Sequence, residues 1–173
     1  MLIYLTGYMG SGKTTNGLKL AVKMGYTFAD LDVMIEGKYK ITIGQFFSKY
    51  GEPAFRQIER ETLLETFGFS NTVIATGGGT PCYADNIDMI NRNGISVYIQ
   101  LPEKALYQRL IHSKKKRPLL MGKTDEEIMD HIRLQMKVRE PFYLKSCLNT
   151  EGINIDIVKL IEDIHEFAGR TSA

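Results

Sequence analysis

Short apolar segments alternate with longer segments of helical periodicity along the chain. Four apolar segments have the length and composition of buried strands, and they cover residues 2–6, 28–31, 72–76 and 95–101. Helical patterns lie between and after them, at residues 13–25, 84–92 and 103–112, from 124 onward and from 154 onward. Strands that alternate with helices form a parallel sheet covered on both faces. The pattern therefore predicts a doubly wound α/β fold.

Local signals predict how three of the helices begin or pack. The first helix is expected to bury Leu18, Ala21 and Val22 on one side. The segment Thr124-Asp125-Glu126-Glu127 matches a capping box, in which a Thr side chain and a Glu side chain satisfy each other's backbone N–H groups. Asn154 is expected to cap the last helix.

Two segments do not fit simple connections between strands. About 40 residues separate the second strand from the third, whereas a crossover needs only about 10–12. Helical patterns at 33–38, 43–50 and 53–67 predict an inserted helical subdomain over residues 33–67. The basic stretch 113–123, which contains Gly and Pro, is predicted to be a mobile lid.

Composition and charge narrow the class of protein. A chain of 173 residues with 43% hydrophobic and 24% charged residues is typical of one globular domain, here residues 1–173. Its formal net charge of +2 argues against a protein that mainly grips nucleic acid, and no apolar run is long enough to span a membrane. The first residues do not resemble a signal peptide. The composition therefore predicts a soluble, cytoplasmic protein, with a monomer as the default.

The pattern Gly7-x-x-x-x-Gly12-Lys13-Thr14 follows a predicted strand and opens a predicted helix. This is the context of a P-loop, in which glycines turn successive backbone N–H groups toward a polyphosphate. Lys13 would reach the β- and γ-phosphates, and the Thr14 hydroxyl would hold Mg²⁺. The alternative is a glycine-rich turn beside a surface lysine. The residues expected to contact ATP are Gly10, Ser11, Gly12, Lys13, Thr14 and Thr15.

Asp30 and Asp32 are the candidate carboxylates, because the third strand ends in glycines and supplies no acidic residue. The strand period of two predicts that they face the same way at the carboxyl end of the second strand, where open α/β sheets bind ligands. One carboxylate could then lie beside Mg²⁺ and the other beside an acceptor hydroxyl. An acidic turn or a cap for the next helix is the alternative. The chain lacks an Asn-Lys-x-Asp motif, so guanine is not the expected base.

Other polar residues are less informative when taken one at a time. Arg56 falls within the inserted helices and Arg139 follows the helix that begins at 124, and a single arginine of this kind is usually a solvated surface charge. The run Lys114-Lys115-Lys116 is also expected to be solvated. Cys82 and Cys147 have no partner spacing for a disulfide or a zinc site, and they are expected to be small apolar fillers.

Taken together, the motifs resemble the shikimate kinase family, in the same order and at similar spacing over roughly residues 1–145. The segments that carry the resemblance are Gly7-Tyr8-Met9-Gly10-Ser11-Gly12-Lys13-Thr14, Phe28-Ala29-Asp30-Leu31-Asp32, Phe55-Arg56-Gln57-Ile58-Glu59, Thr76-Gly77-Gly78-Gly79, Arg117-Pro118-Leu119 and Arg139-x-x-x-Tyr143. Many kinases share the P-loop. The combination of Asp-x-Asp, Phe-Arg-x-x-Glu and three glycines is much more specific.

The resemblance implies transfer of the ATP γ-phosphate to the 3-hydroxyl of shikimate, in the pathway to aromatic amino acids. It also implies a core like that of nucleoside monophosphate kinases, with a five-stranded parallel sheet, a shikimate-binding helical insertion and a closing lid. The implied partners are the small molecules ATP and shikimate, with Mg²⁺ as cofactor. The segment 144–152 looks shorter than in the family, and the adenine loop is expected near 149–152.

The resemblance also assigns roles to single residues. Asp32 would hold the acceptor hydroxyl and act as base, Asp30 would hold Mg²⁺, and Arg117 would move from the lid onto ATP. Asp32, Lys13 and Arg117 are thus the expected catalytic residues. The residues expected to bind shikimate are Asp32, Arg56, Glu59, Gly77, Gly78, Gly79 and Arg139.

Two other functions remain open from the residues alone. Another small-molecule kinase of the same fold, such as a gluconate kinase, would share the P-loop and the lid but should lack the Asp-x-Asp and Phe-Arg-x-x-Glu combination. A nucleotide-switched binding module would have no acceptor, and it would leave Arg56 and Arg139 exposed. A nucleic-acid-binding role is supported only by the basic run 114–117.

Overall fold

The computed structural model of the protein describes residues 1–113 and 122–171. The predicted lid at 113–123 therefore falls mostly outside the described residues, and Arg117 and the run 114–116 fall entirely outside them. No helix in the described part is long and apolar enough to cross a membrane.

A five-stranded parallel sheet forms the centre of the molecule, with the strand order β2-β3-β1-β4-β5. The strands are β1 (Leu2–Thr6), β2 (Thr27–Asp30), β3 (Thr72–Ala75), β4 (Ile95–Gln100) and β5 (Leu148–Glu151). The predicted doubly wound α/β fold is confirmed, and so is the five-stranded sheet that the resemblance implied. The fifth strand has no apolar run because it lies at the edge of the sheet, where every second residue is exposed.

Seven α-helices connect and cover the strands in the described part of the chain. They are α1 (Lys13–Met24), α2 (Leu31–Tyr39), α3 (Ile43–Thr66), α4 (Asn86–Asn93), α5 (Glu103–Ile111), α6 (Asp125–Tyr143) and α7 (Ile157–Thr171), with a short 3₁₀ helix at Thr80–Cys82. The helical patterns at 33–38, 43–50 and 53–67 correspond to α2 and to the two parts of α3, which is interrupted at Gly51 (φ 79°, ψ 170°). The capping box predicted at Thr124 is present, with both of its hydrogen bonds.

Alternation along the strands distributes the core over both faces of the sheet. Ile3 and Leu5 point to one side, where they pack with Leu20 of α1 and Leu160 of α7. Residues 2 and 4 of the same strand point to the other side, toward α3 and α4. This period of two in β1 explains why a strand of only five residues is buried along its whole length.

The predicted buried face of α1 is wrong in part. Ala21 is buried, but the side chains of Leu18 and Val22 are 47% and 80% exposed. Gly17 lies so close to the sheet that a Cβ there would stand 2.5 Å from Phe28 Cε2. Because α1 packs against the sheet at Gly17, Leu20 and Ala21 on the same helix face also point to the core. Leu18 and Val22 then lie on the outer side of the helix.

The predicted cap of the last helix is also wrong. Asn154 has a left-handed backbone conformation (φ 53°) and lies before the helix. The carboxylate of Asp156 accepts hydrogen bonds from the backbone N–H groups of Val158 and Lys159, at 2.9 and 3.1 Å. Asp156 is therefore the residue that caps α7, and Asn154 belongs to the loop that leads into it.

Candidate active site

The glycine-rich loop between β1 and α1 turns sharply at three positions. Gly7, Gly10 and Gly12 have φ values of 133°, 81° and 97°, which side chains rarely adopt. A Cβ on Gly7 would also stand 2.8 Å from the carbonyl oxygen of Ile99, so the loop packs closely against β4. The loop has the backbone turns that the P-loop pattern predicts.

Lys13 lies at the start of α1, and its side chain is almost buried beneath this loop. Its Nζ donates hydrogen bonds to the carbonyl oxygens of Gly7 and Tyr8, at 2.8 and 2.9 Å. The first backbone N–H groups of any α-helix lack helical partners and carry its positive dipole end. At α1 the N-cap residue is Gly12, which has no side chain to bind them. A lysine and a free helix start therefore meet at one point, which suits a phosphate.

A cleft of about 750 Å³ runs across the carboxyl ends of the strands. It is lined by the P-loop and the first turn of α1, by both predicted carboxylates, and by two of the three glycines after β3. Its lining includes Gly10, Gly12, Lys13, Thr14, Thr15, Asp30, Asp32, Gly77, Gly78 and Asn154. The phosphate motif thus shares one cleft with Asp32, Gly77 and Gly78, at the sheet edge where open α/β proteins bind ligands. The other candidate acceptor residues do not line this cleft, and they are Arg56, Glu59, Gly79 and Arg139.

Asp30 and Asp32 do not both lie on a strand, so the argument from strand alternation is wrong. Asp30 ends β2, whereas Asp32 is in the first turn of α2. The Oδ1 of Asp30 accepts hydrogen bonds from the backbone N–H groups of Asp32 (3.0 Å) and Val33 (3.4 Å) and so caps α2. The two carboxylates still line the same cleft, because the helix begins where the strand ends.

The second oxygen of Asp30 faces the P-loop. Its Oδ2 accepts a hydrogen bond of 2.7 Å from the Thr14 hydroxyl. Hydroxyl and carboxylate oxygens are suitable ligands for Mg²⁺, which proteins usually bind through one or two carboxylates together with substrate phosphates. The described residues contain no cluster of three or more His, Cys, Asp or Glu side chains that could form an all-protein metal cage. Thr14 and Asp30 therefore fit a magnesium ion that is shared with a nucleotide.

Arg56 and Glu59 form a largely buried ion pair on α3. Arg56 Nη1 donates to Glu59 Oε2 at 2.6 Å, and Nε and Nη2 donate to Glu52 at 3.2 and 3.1 Å. Burial alone would lower the pKa of Arg56, but attraction and hydrogen bonds from Glu59 and Glu52 raise it. Burial raises the pKa of Glu59, although Arg56 and a hydrogen bond from Thr80 both oppose this shift. Arg56 is thus a fixed positive charge and not a solvated one.

The three glycines after β3 are the places where these side chains approach the backbone. A Cβ on Gly77 would stand 2.4 Å from Glu59 Oε1 and 3.3 Å from Asp32 Oδ1. A Cβ on Gly79 would stand 2.4 Å from both terminal nitrogens of Arg56. A Cβ on Gly78 would have more room, because its nearest atom would be the backbone nitrogen of Met9 at 3.3 Å. The glycine loop therefore brings Asp32, Glu59 and Arg56 together.

Arg139 approaches the same loop from α6. Its guanidinium lies over the ring of Tyr8, 5.6 Å from the ring centre, and its positive charge opposes the rise in the pKa of Tyr143. The Tyr143 hydroxyl donates to the carbonyl oxygen of Gly78 at 2.5 Å, and burial raises the pKa of this tyrosine well above its usual range. Arg139 and the carbonyl of Gly78 are therefore both neighbours of one buried tyrosine.

Two residues of this region had no role in the sequence analysis. Tyr143 appeared only as part of a motif, although its spacing of four from Arg139 places both on one helix face. Arg109 of α5 donates to the carbonyl oxygens of Ser11 (2.9 Å) and Gly152 (3.0 Å), and it lines the cleft. No sequence signal distinguishes Arg109 from a solvated arginine, because its partners are backbone atoms of distant segments.

Comparison with known proteins gives the family of this chain. The family model described as shikimate kinase matches residues 9–166. The shikimate kinase of Bacteroides thetaiotaomicron is 45% identical over 144 residues, which are 83% of this chain and 82% of that protein. The shikimate kinase of Parabacteroides distasonis is 40% identical over 96% of this chain and 94% of that protein.

Solved structures extend the likeness to the fold. A crystal structure of the Bacteroides thetaiotaomicron shikimate kinase has a TM-score of 0.90 and 39% identity, and the match covers 98% of both chains. Shikimate kinase from Acinetobacter baumannii in complex with shikimate has a TM-score of 0.83 and 34% identity, over 98% of this chain and 93% of that one. On this sequence match and this fold, the chain belongs to the shikimate kinase family.

Proposed function

We propose that this protein transfers the γ-phosphoryl group of ATP to the 3-hydroxyl of shikimate, giving shikimate 3-phosphate and ADP. The observation that carries the proposal is the shared cleft, in which Asp32 faces the same space as Lys13 while Arg56 is held behind the glycine loop. The Acinetobacter baumannii relative, of the same fold, was solved with shikimate. The reaction belongs to the pathway to aromatic amino acids.

The nucleotide occupies the P-loop side of the cleft in this proposal. Backbone N–H groups from Gly10 to Thr15 bind the phosphates, and Lys13 exchanges its two loop carbonyls for phosphate oxygens. Thr14 and Asp30 would hold Mg²⁺, which when bound neutralises charge on the phosphates. Arg117 of the lid is proposed to contact ATP as well.

Shikimate, a ring with one carboxylate and several hydroxyls, occupies the other side. Arg56 and Arg139 bind its carboxylate, because arginine offers paired N–H donors that match two carboxylate oxygens. Glu59 orients Arg56 through their 2.6 Å hydrogen bond. The absence of a side chain at Gly77, Gly78 and Gly79 allows the ring to approach the backbone.

Asp32 is proposed as the base. It accepts the proton of the 3-hydroxyl as the hydroxyl oxygen bonds to the γ-phosphorus, and the bond from that phosphorus to the β–γ bridging oxygen breaks to release ADP. Positioning and charge neutralisation dominate such transfers. Closure of the lid at 113–123 over the cleft would keep water from competing for the phosphoryl group.

The remaining assignments complete the proposal. Residues 33–67 form the acceptor-binding insertion of one catalytic domain, and the protein acts as a cytoplasmic monomer on small molecules. Neither nucleic acid nor a membrane is a partner.

The direct test measures ADP release from ATP and Mg²⁺ by the purified protein, with shikimate, with gluconate, with a nucleoside monophosphate and with no acceptor. Strong stimulation by shikimate alone is expected. Stimulation by a different acceptor alone would leave an ATP-dependent kinase with another substrate. No stimulation by any acceptor, with ATP still bound, would favour a nucleotide-switched binding module.

A further inference from the structure

We propose that Thr80, Asn86 and Arg60 form a positioning network that fixes the glycine loop and Glu59 so that Arg56 is pre-arranged for the carboxylate of the acceptor. Thr80 donates to Glu59, Asn86 donates to the backbone of Thr80, and Arg60 donates to Asn86, so the three residues act by positioning other residues. The inference rests on the proposed function, because it assumes that Arg56 binds the acceptor. It extends the site from the cleft wall to the residues that hold the wall in place.

The first contact joins the loop to the ion pair. Thr80 directly follows the three glycines and is completely buried. Its hydroxyl donates to Glu59 Oε1 at 2.6 Å, while Arg56 donates to the other oxygen, Oε2, at 2.6 Å. Each oxygen of Glu59 thus has its own donor, and the carboxylate cannot rotate without losing one of them.

The second contact holds the backbone of Thr80. Asn86, at the start of α4, is also completely buried. Its side-chain Nδ2 donates to the carbonyl oxygen of Thr80 at 2.8 Å. Thr80 N also donates to the carbonyl oxygen of Gly77 at 3.2 Å, which closes the turn that contains the glycines. Asn86 therefore anchors the turn from outside.

The third contact returns to α3. Arg60 Nη1 donates to Asn86 Oδ1 at 2.5 Å, which fixes the orientation of the amide that faces Thr80. Arg60 is itself held by Asp85, with Nη2 to Oδ1 at 2.7 Å, and it contacts the sulfur of Met89. Its hydrogen bond lowers the pKa of the Asp85 carboxyl, as expected for a charge pair.

These contacts form a closed ring that starts and ends on neighbouring residues of one helix. Glu59 holds the side chain of Thr80, and Arg60 holds its backbone through Asn86. A ring of this kind leaves the loop little freedom relative to α3. Because Gly79 touches the guanidinium of Arg56, a shift of the loop would move the group that is proposed to bind the acceptor.

The experiment replaces the Thr80 hydroxyl with a methyl group of similar size. Thr80→Val is expected to raise the KM for shikimate about tenfold or more, because a buried carboxylate loses one of its donors. The KM for ATP should stay within about twofold. Thr80→Ser restores the hydroxyl and should return the KM for shikimate to near the unmodified value.

Thr62→Val is the matched control. Thr62 is also a buried threonine of this region, but its hydroxyl donates to the carbonyl of Ile58 within α3, at 2.9 Å, and not to Glu59. A change in thermal unfolding midpoint with unchanged kinetics is expected there. Arg60→Gln, at a partly exposed site, tests the far side of the ring and should raise the KM for shikimate about threefold.

The outcomes separate this inference from the proposed function. If the unmodified protein shows no shikimate-dependent ADP release, the proposed function fails first. If that activity is present and Thr80→Val and Arg60→Gln leave the KM for shikimate unchanged, the network is only structural and the inference is overturned. The same conclusion follows if both KM values rise together, or if Thr80→Ser does not rescue Thr80→Val. Should Thr80→Val fail to fold, Arg60→Gln decides: an unchanged KM for shikimate in that variant overturns the inference.

Discussion

The two sides of the cleft are built in different ways. On the nucleotide side, one continuous segment from Gly7 to Thr15 supplies the turns, the lysine and the helix start, and Asp30 is the main addition from elsewhere. On the acceptor side, α2, α3, the loop after β3 and α6 each supply one to three residues. The first side is a local motif, and the second is an assembly of distant segments.

This difference determines how each side of the cleft responds to substitutions. The bonds of Lys13 join it to residues five and six positions away, so the loop carries its own geometry. The Thr80–Glu59 and Tyr143–Gly78 bonds join residues 21 and 65 positions apart, and they depend on the fold as a whole. Changes on the acceptor side should therefore alter the KM for shikimate while leaving the KM for ATP nearly constant.

Asp32→Asn provides the largest expected effect. The amide cannot accept the hydroxyl proton, so turnover should fall about 1,000-fold, within the range for removal of a general base. Affinity for ATP should stay within a few-fold, since the Asp30 contacts to Thr14 and to the start of α2 do not need the Asp32 side chain. Steady-state kinetics and calorimetric ATP titration give the two values. Loss of ATP binding would contradict the division between the two sides.

Gly79→Ala tests the close approach of the loop to Arg56. Gly79 has φ −94° and ψ −14°, which alanine adopts without strain, so the added methyl acts only by displacing the guanidinium. We expect the KM for shikimate to rise on the order of 100-fold, as for a misplacement of about 1 Å. The measurement is a shikimate titration at saturating ATP.

Gly37→Ala is the control for this substitution. Gly37 lies within α2, and a Cβ there would meet nothing within 4 Å. The change should leave both KM values unaltered and stabilise the protein by about 0.5–1 kcal/mol. Equal kinetic effects at both glycines would mean that the contact with Arg56 is not what matters.

Arg139→Ala should raise the KM for shikimate about tenfold, because a charged partner of the carboxylate is lost. A fall in kcat as well would indicate that Arg139 also aligns the ring. Arg133→Ala is the matched control on α6, since Arg133 is exposed and pairs only at the surface with Glu103 and Asp130. Its kinetics should match those of the unmodified protein. An unchanged shikimate response in Arg139→Ala would make Arg139 a surface charge after all.

The same contrast explains what the sequence could and could not predict. The P-loop, four of the five strands and the capping box at Thr124 depend on neighbouring residues, and the patterns predicted them. The position of Asp32 was inferred from strand alternation, yet the chain turns into α2 one residue earlier, because the Asp30 side chain caps a helix there. From the sequence, a cap for the next helix is only the alternative interpretation of Asp30 and Asp32.

Long-range partners are the part that no local pattern supplies. Arg109 is bound by carbonyl oxygens of Ser11 and Gly152, and every residue has such a carbonyl. Thr80 and Asn86 are small polar residues that look like loop and helix-start residues in the sequence. Their role follows only from which segments the fold brings together.

The alkylation rate of Cys82 reports on the packing of the acceptor side in the unmodified protein. Its sulfur lies near the carbonyl oxygens of Gly78 and Arg139, and burial raises the pKa of the thiol to about 11. At pH 8 only about 0.1% is thiolate, against about a quarter for an ordinary cysteine. Alkylation of Cys82 by iodoacetamide, followed by mass spectrometry, should therefore be at least about 100-fold slower than that of a cysteine in a short unstructured peptide.

The dependence of the alkylation rate on pH and on the charge of Arg139 tests whether the raised pKa of Cys82 is what slows the reaction. The rate at Cys82 should rise about tenfold per pH unit between pH 8 and 10, because the thiol remains below its pKa over that range. Arg139 opposes the shift with its positive charge, so Arg139→Ala should slow alkylation further, whereas Arg133→Ala should not. Fast labelling at pH 8 would show that the loop after β3 opens readily. In that case the acceptor side would not be the rigid assembly that its long-range hydrogen bonds indicate.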